Sequence, residues 1–369
     1  MDNNTRAFFA LLRAGLWEQD VRLSDYAPFD YKEVYRIAEE QSVIGIIAAG
    51  LNHVHDIRPP KEVSLSFVMA AISFEKRNTA MNNFIGGLFK KLQENGINAV
   101  LIKGQGIAQC YENPLWRACG DVDLLLDEDN YEKAKRLLVP LASFVEAEAL
   151  SIKHLCMTIN SWVVELHGTF HSGTLLKMDK MIDIIQDDVL KNGNIRIWKN
   201  GIVDVPLPAA TEDVSIVFSH ILKHYFHGGV GLRQVCDWCR LLWTNKDSIK
   251  ADKLNDSIRK MGICTEWKSF ASLVVHYLGM PRDAMFIFEE DSKWQKKSRR
   301  ILSFILKTGN FGHNRDLSYY HNKSFFVRKV ISSWRHTKDG INHFREFPRD
   351  ATEAWLRLTV GGVISVLKF

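Results

Sequence analysis

The sequence has little of the long apolar character of a membrane protein, and its first residues do not follow the order expected of a signal peptide. Its longest apolar stretch, LRLTVGGVISVLKF at the end of the chain, contains two glycines and falls short of the roughly 20 residues that a membrane span needs. The opening residues, MDNNTRAFFALLRAGLW, place an acid first and have no small-residue cleavage site after an apolar stretch, unlike a signal peptide. We therefore expect a chain without a membrane span.

Cysteine is sparse, and the net charge is weak. The six cysteines have no spacing typical of a disulfide framework, which favours free thiols and a cytoplasmic location. The net charge of +5 is small for 369 residues, so a nucleic-acid partner is not expected. The apolar content of 46% and the charged content of 25% are those of an ordinary globular protein with room for two or three domains.

The chain contains no internal repeat, and its pattern changes at two places. Residues 1–95 place apolar side chains at intervals of three and four, which predicts helices, the longest running from Lys61 to about Asn95. Residues 96–208 alternate short β-branched segments with helical ones, and the helical period then returns. We predict an α+β fold with an N-terminal helical region (1–95), a small α/β core with a mixed sheet (96–208) and a C-terminal helical region (209–369).

Four segments of the core predict strands, and a fifth predicts a hairpin that turns at Asn200-Gly201. The strands are INAVLIKG, DVDLLLD, IKHLCMTIN and SWVVELHGTF, and the hairpin is IRIWKNGIVDVPLP. The helices predicted in the core are GIAQCYEN and EDNYEKAKRLLVPL. Four more are predicted after residue 209, namely TEDVSIVFSHILKHYF, LRQVCDWCRLLW, DKLNDSIRKMGI and EWKSFASLVVHYLG.

Two aspartates interrupt the apolar strand DVDLLLD. Because side chains alternate along a strand, Asp121 and Asp123 share one face with Cα atoms roughly 6.5–7 Å apart, and Val122 and Leu124 share the other. Two carboxylates so placed would repel each other unless a cation lay between them. Magnesium suits the pair, since it is commonly held by one or two carboxylates together with substrate phosphates.

The strand SWVVELHG repeats this arrangement, since Glu165 and His167 share one face. Glu165 would supply a third carboxylate and complete a site for two metals roughly 3.5–4 Å apart, which can hold the attacking and leaving oxygens of a phosphoryl transfer. His167 would either contact the substrate or hydrogen-bond within the sheet.

A glycine-containing turn, Lys103-Gly104-Gln105-Gly106, connects the first strand of the core to the first helix. Glycines in such a turn let backbone N–H groups approach a phosphate, and the N-terminus of the helix adds partial positive charge. Lys103 or Arg117 would add a full charge. The turn and the acids together predict a site for phosphate and metal.

The order of these motifs resembles that of the nucleotidyltransferase superfamily, which includes DNA polymerase β and the aminoglycoside nucleotidyltransferases. It resembles more narrowly a group of bacterial proteins described as uncharacterised nucleotidyltransferases. That group has a Lys-Gly turn, an arginine shortly before Gly-Asp-hydrophobic-Asp-Leu-Leu and a later Glu-Leu-His strand. The resemblance covers roughly residues 35–280. The matching residues are Lys103, Gly104, Arg117, Gly120, Asp121, Asp123, Glu165 and His167.

This resemblance implies the metal-dependent transfer of a nucleoside monophosphate from a nucleoside triphosphate (NTP) to an unidentified acceptor of one of three classes: a small molecule, a peptide or a protein. Asp121 and Asp123 would bind Mg²⁺ or Mn²⁺, and Glu165 would hold the second metal or act as a general base on the acceptor. The turn after Lys103 would hold the β- and γ-phosphates. The wider superfamily has Gly-Ser at that turn, where this chain has Gly104-Gln105.

Three histidines, His220, His224 and His227, lie on one face of a predicted helix. We predict that this face lines a cleft between the C-terminal helices and the sheet. There His220, His224 and Arg233 would meet the phosphates or the base of a nucleotide. Asp237 would alternatively pair with Arg233.

Cys236 and Cys239 follow these histidines and raise the alternative of a zinc site. Both cysteines, however, take core positions of an amphipathic helix, where a free cysteine behaves as a small hydrophobe. We therefore favour a buried role for the two thiols over a metal-binding one.

Two other functions remain open at this point. The absence of the serine motivates a catalytically inactive nucleotide-binding or regulatory module on the same fold. The basic stretch SFFVRKVISSWRHTKDGINHFREF suggests a protein that acts on nucleic acid. Acids interrupt that stretch and its apolar residues keep a helical spacing, which favours a packed helix with a solvated face.

Overall fold

A mixed sheet of five strands forms the centre of the computed structural model, which describes residues 1–150, 152–314 and 325–367. The strands are β1 (Val100–Ile102), β2 (Asp121–Leu125), β3 (Phe144–Val145), β4 (His154–Ile159) and β5 (Trp162–His167). They lie in the order β1-β2-β5-β4-β3, with β2 and β5 parallel and the other neighbours antiparallel. The α+β class and the mixed sheet are therefore confirmed, and of these five strands only the two-residue β3 is absent from the sequence prediction.

The predicted hairpin is present but forms a sheet of its own. Its strands, β6 (Ile195–Asn200) and β7 (Val203–Pro208), pair with each other as a separate two-stranded sheet, so its expected place in the mixed sheet is wrong. Asn200 pairs with Val203, which places the turn at Gly201 and Ile202, one residue later than predicted. Asn200 is held in the strand because its Nδ2 donates to the carbonyl of Asn82, 2.7 Å away.

Four helices precede the sheet, as the apolar spacing of the first 95 residues predicts. The last of them begins directly after Pro59-Pro60 and has Asn95 as its C-cap, close to the predicted bounds. They are α1 (Asn3–Trp17), α2 (Tyr31–Glu40), α3 (Ile44–Leu51) and α4 (Lys61–Glu94).

Three helices belong to the core, namely α5 (Gly104–Ala108), α6 (Glu128–Leu138) and α7 (Leu176–Leu190). The carboxylate of Asp127 caps α6 by accepting from the backbone N–H of Asn130, and two acids in the first turn match the helix dipole. The sequence prediction omits α7, although the buried residues Met178, Ile182 and Ile185 have helical spacing.

The rest of the described chain is mostly helical, which confirms the four helices predicted after residue 209. These are α8 (Ala210–His227), α9 (Leu232–Thr244), α10 (Ala251–Met261) and α11 (Cys264–Tyr277). Three more follow: α12 (Ser292–Thr308), α13 (Phe325–Glu346) and α14 (Pro348–Leu367). None of the helices among the described residues combines the length and apolar character of a membrane span.

The two faces of the mixed sheet have different partners. One face forms a buried apolar cluster with α4 and α6. Its residues from the sheet include Val122, Leu124, Leu155, Val164 and Leu166. Since side chains alternate, the acids of β2 and β5 point to the opposite face, which looks towards α8 across a cleft.

The N-terminal and C-terminal helices share a second hydrophobic core. The indole of Trp17 donates to the carbonyl of Leu278 at 2.5 Å, and Arg13 donates to the carbonyl of Tyr277 at 3.2 Å. Helix α1 is therefore packed on the end of α11, and the two helical regions support the sheet jointly. The division of the chain at residues 95/96 and 208/209 into domains stays a prediction.

Candidate functional site

The parallel pairing of β2 with β5 brings three carboxylates together. In the register of these strands Asp123 lies opposite Glu165, with Asp121 two residues earlier on the same face. One carboxylate oxygen from each of the three residues lies within 4.8 Å of the others. The acids that the strand alternation placed on one face are thus close enough to share a cation.

Asp123 is the most buried member of this cluster, with 1% of its surface exposed. Its Oδ1 atom accepts from Lys103 Nζ at 2.8 Å and lies 2.9 Å from His167 Nε2. Its Oδ2 atom is buried without a hydrogen-bond partner. A buried carboxylate oxygen without a partner is unfavourable, and a bound cation would supply the missing interaction.

The surroundings of Asp121 disfavour its negative charge, whereas those of Glu165 stabilise it. Repulsion from Asp123, together with burial, raises the pKa of Asp121 above its ordinary value. For Glu165, burial acts in the same upward direction, but His154 and His167 outweigh it and hold the pKa well below its usual range. Their Nε2 atoms lie 3.2 Å and 3.3 Å from Glu165 Oε2. Glu165 is therefore ionised at neutral pH.

Lys103 provides positive charge at the edge of the acidic cluster. Its φ of +57° is rare for a residue with a Cβ atom, and Gly104, which follows at +44°, completes a sharp turn into α5. Burial would lower the pKa of Lys103, but Asp123 and Asp121 outweigh burial and the pKa is raised. The ammonium also lies 5.1 Å from the centre of the Phe170 ring.

The helix that follows this turn is shorter than the predicted helical segment GIAQCYEN. Helix α5 has only five residues, Gly104–Ala108, so its dipole offers less positive charge than a full helix would. The side chain of Gln105 is 1% exposed, and its Nε2 donates to Asn78 Oδ1 on α4 at 3.1 Å. The side chain of Gln105 is therefore not available to a phosphate.

Arg117, expected to face a nucleotide, is buried in an ion pair with Asp237. Its Nε and Nη2 atoms donate to the two oxygens of Asp237 at 2.8 Å and 2.6 Å. The hydroxyl of Tyr111 donates to the same carboxylate at 2.9 Å. Arg233, the partner that the sequence suggested for Asp237, lies farther away at 3.9 Å. Arg117 thus ties the segment before β2 to helix α9 and offers little free charge to a ligand.

A cavity of about 320 Å³ separates the acidic face of the sheet from α8. Asp121, Glu165 and His167 line one side, and His220 and His224 line the other, as predicted for the histidine face. A smaller cavity of about 50 Å³ adjoins it at Arg233.

His220 and His224 on α8 have pKa values below the physiological range and are therefore neutral. Their Nε2 atoms lie 3.0 Å apart. Burial, with repulsion from Lys103, holds the pKa of His220 well below its ordinary value, and burial with repulsion from Lys223 lowers that of His224 to about 3. They can exchange hydrogen bonds with a ligand but do not supply positive charge to it.

Cys236 and Cys239 are fully buried. Burial raises the pKa of both thiols, which disfavours the thiolate that a zinc ligand requires. The two groups of neighbouring metal-binding side chains found among the described residues contain neither cysteine. All six cysteines of the chain are unpaired.

Several residues of the cleft are not named by the sequence analysis, and four of them bear on its chemistry. Lys223 lies on the histidine face of α8, three residues after His220, and this spacing is the signal that could have found it. His154 lies opposite His167 in the β4–β5 register. Phe170 and Phe311 have no sequence signal, since the fold alone places these rings at the cleft.

His154, Glu165 and His167 form a second group whose ligand atoms lie within 4.8 Å of one another. Imidazole nitrogen is a better ligand for transition metals than for magnesium. The group shares Glu165 with the three carboxylates, so the acidic face offers oxygen donors on one side and nitrogen donors on the other.

A family model described as "Uncharacterised nucleotidyltransferase" matches residues 27–279, more than half of the 369-residue chain. No curated protein and no solved structure matches this chain. The matched segment contains the turn at Lys103, all three carboxylates and the histidine face of α8.

Proposed function

The chain belongs to this uncharacterised nucleotidyltransferase family, and we propose that it transfers a nucleoside monophosphate from an NTP to an acceptor with release of pyrophosphate. The observation that carries the proposal is the convergence of Asp121, Asp123 and Glu165 around a buried carboxylate oxygen without a partner. We place the chain in the superfamily of DNA polymerase β on the order of its motifs.

The donor set fits a divalent metal ion. Asp121, Asp123 and Glu165 offer hard oxygen ligands, which Mg²⁺ and Mn²⁺ prefer, and the free Oδ2 of Asp123 is available to one. Such an ion would neutralise negative charge that develops on the phosphate oxygens. Because the pKa of Glu165 is held well below its usual range, Glu165 suits a metal ligand better than a general base, for which a pKa near the working pH is best.

In the proposed reaction a nucleophilic oxygen of the acceptor forms a bond to the α-phosphorus. The bond from that phosphorus to the bridging oxygen breaks, pyrophosphate leaves, and the proton of the acceptor hydroxyl passes to solvent. The residues of this chain act mainly by positioning and by charge, as in other phosphoryl transfers. Lys103 and Lys223 are the cations that line the main cavity, and they face the site from the sheet and from α8.

A second function has one observation in its favour. Gln105 stands where the wider superfamily has serine, so the turn presents no hydroxyl to a triphosphate, and its side chain is bound to Asn78 instead. A nucleotide-binding or regulatory module without turnover would tolerate this, whereas it has little need for three converging acids.

The test measures incorporation of α-labelled ATP, GTP, CTP and UTP into small-molecule, peptide and protein acceptors with Mg²⁺ or Mn²⁺. Isothermal titration of metal and NTP supplies a second readout. Asp121→Asn, Asp123→Asn and Glu165→Gln should each lose metal-dependent NTP binding and turnover, whereas Asp129→Asn, at an exposed acid on α6, should lose neither.

Two results would count against the proposal. Wild-type binding to NTP without turnover on any acceptor would favour the regulatory module. Unchanged metal-dependent NTP binding in both Asp121→Asn and Asp123→Asn would remove the assigned site altogether.

A further inference from the structure

The short turn Asn310–Gly312 lies beyond the segment that the family model matches, yet it forms part of the wall of the cleft. Phe311 lines the main cavity together with Lys103 and Glu165, and it also lines the smaller cavity next to Arg233. Its side chain is not part of either hydrophobic core, and 58% of the residue is exposed. A large apolar ring is therefore held at the solvent-facing side of a site rich in charge.

The backbone of Phe311 adopts φ +51° and ψ +26°, in the left-handed region. This conformation is unfavourable for a bulky residue and persists only where the surroundings impose it. Such strain is often found in ligand-binding segments, because the geometry that it enforces is useful there. The strained backbone therefore indicates a functional role for the ring.

Contacts from the matched segment hold the turn in place. Asn310 Nδ2 donates to Ser42 Oγ at 2.8 Å. Gly229 and Gly231, between α8 and α9, leave room for the turn, since a Cβ atom at Gly229 would lie 2.5 Å from the backbone nitrogen of Gly312. At Gly231 a Cβ atom would lie 2.7 Å from the side chain of Asn310. The glycines are thus fitted to a turn supplied from outside the matched segment.

The surroundings of the ring indicate what it would contact. The centres of the His224 and Phe311 rings lie 4.9 Å apart with the ring planes at 75°, and the guanidinium carbon of Arg233 lies 6.0 Å from the centre of the Phe311 ring. The cations and acids deeper in the cleft suit a triphosphate and its metal. What remains of an NTP beyond them is a ribose and a flat aromatic base, and bases stack on aromatic side chains.

We propose that Phe311 is the stacking platform for the nucleobase of the bound NTP. This inference rests on the proposed function and adds the part of the site that holds the base. Every base has a π-face, so the contact accepts purines and pyrimidines alike. Residues after 279 thus contribute to the nucleotide site.

The experiment compares Mg²⁺-dependent binding of ATP with that of inorganic tripolyphosphate, which has the phosphates but no base. Phe311→Gly removes the ring and also accepts a positive φ, so its thermal midpoint should not fall. Its affinity for ATP should drop by about 5- to 150-fold, with the affinity for tripolyphosphate unchanged. Phe311→Tyr should bind ATP like the wild type. Phe144→Ala, at a ring that is 60% exposed on β3, is the matched control and should change neither affinity.

Three results would overturn the inference. Equal binding of ATP by wild type and Phe311→Gly would exclude a contact with the base. A matching loss of tripolyphosphate affinity would place the ring at the phosphates, and a loss confined to the KM for the acceptor would assign the ring to that substrate. If the wild type bound neither ATP nor tripolyphosphate, the proposed function itself would fail. If the wild type bound both ligands and Phe311→Gly bound ATP equally well, only the role of Phe311 would fail.

Discussion

Replacing Asp237 by alanine should destabilise the protein by about 3–5 kcal/mol, because the change leaves a buried cation without its partner. Arg117 and Asp237 are each 4% exposed and are joined by two hydrogen bonds. Burial would lower the pKa of Arg117, but Asp237 raises it well above its ordinary value, and a guanidinium does not lose its charge in proteins. After the substitution its remaining acceptors would be the carbonyl of Ala118, 3.2 Å away, and the Cys119 thiol.

The free energy of unfolding would be measured by urea titration with tryptophan fluorescence, and the slopes compared to check that the same surface unfolds. The double variant Arg117→Met/Asp237→Leu buries no charge and should recover most of the loss. Asp283→Ala is the control, because its partner Lys246 is 39% exposed and such surface pairs contribute little.

Two results would refute this reasoning. A loss below about 1 kcal/mol for Asp237→Ala would place the pair among ordinary surface ion pairs. A double variant as unstable as the single one would show that the unpaired charge is not the cause.

Three further predictions concern the cleft. The pKa of His224 is lowered to about 3 from 6.5, so between these values the unfolded chain binds a proton that the folded chain does not. Stability therefore falls on acidification, and this group contributes up to about 1.4 kcal/mol per pH unit. His224→Gln should reduce the difference in unfolding free energy between pH 7 and pH 4.5, and an unchanged difference would contradict this prediction. Lys223→Met should weaken the binding of both ATP and tripolyphosphate measured by calorimetry, whereas Lys296→Met, at an exposed lysine, should weaken neither. Unchanged tripolyphosphate affinity in Lys223→Met would show that Lys223 does not contact the phosphates. Gly229→Ala should lower the thermal midpoint and the affinity for ATP, because its Cβ atom would meet the backbone of the turn that contains Phe311. Gly87→Ala, whose Cβ atom would have no neighbour within 4 Å, should change neither. Equal thermal midpoints for the two variants would contradict the close approach at Gly229.

The strands and most helices of this chain are predictable because their apolar residues follow local periods. The helix α7 could also be found in this way, since Met178, Ile182 and Ile185 keep the spacing of a buried helix face. The position of the β6–β7 hairpin could not be predicted from the sequence. Local alternation indicates that two strands pair with each other, but it does not indicate whether they join another sheet. Its one-residue shift at Asn200 depends on a hydrogen bond to α4, more than one hundred residues earlier in the chain.

The sequence by itself determined that Asp121 and Asp123 point to one side of a strand and that Glu165 and His167 do the same, because alternation is a local property of the β backbone. Only the tertiary structure decided that β2 and β5 are parallel neighbours, which makes the three carboxylates one cluster. It also decided that Arg117 is occupied by Asp237 and that Phe311 reaches the cleft. These contacts join residues far apart in the chain. They depend on how the whole fold pairs its buried charges and packs its backbone segments, which no local sequence pattern determines.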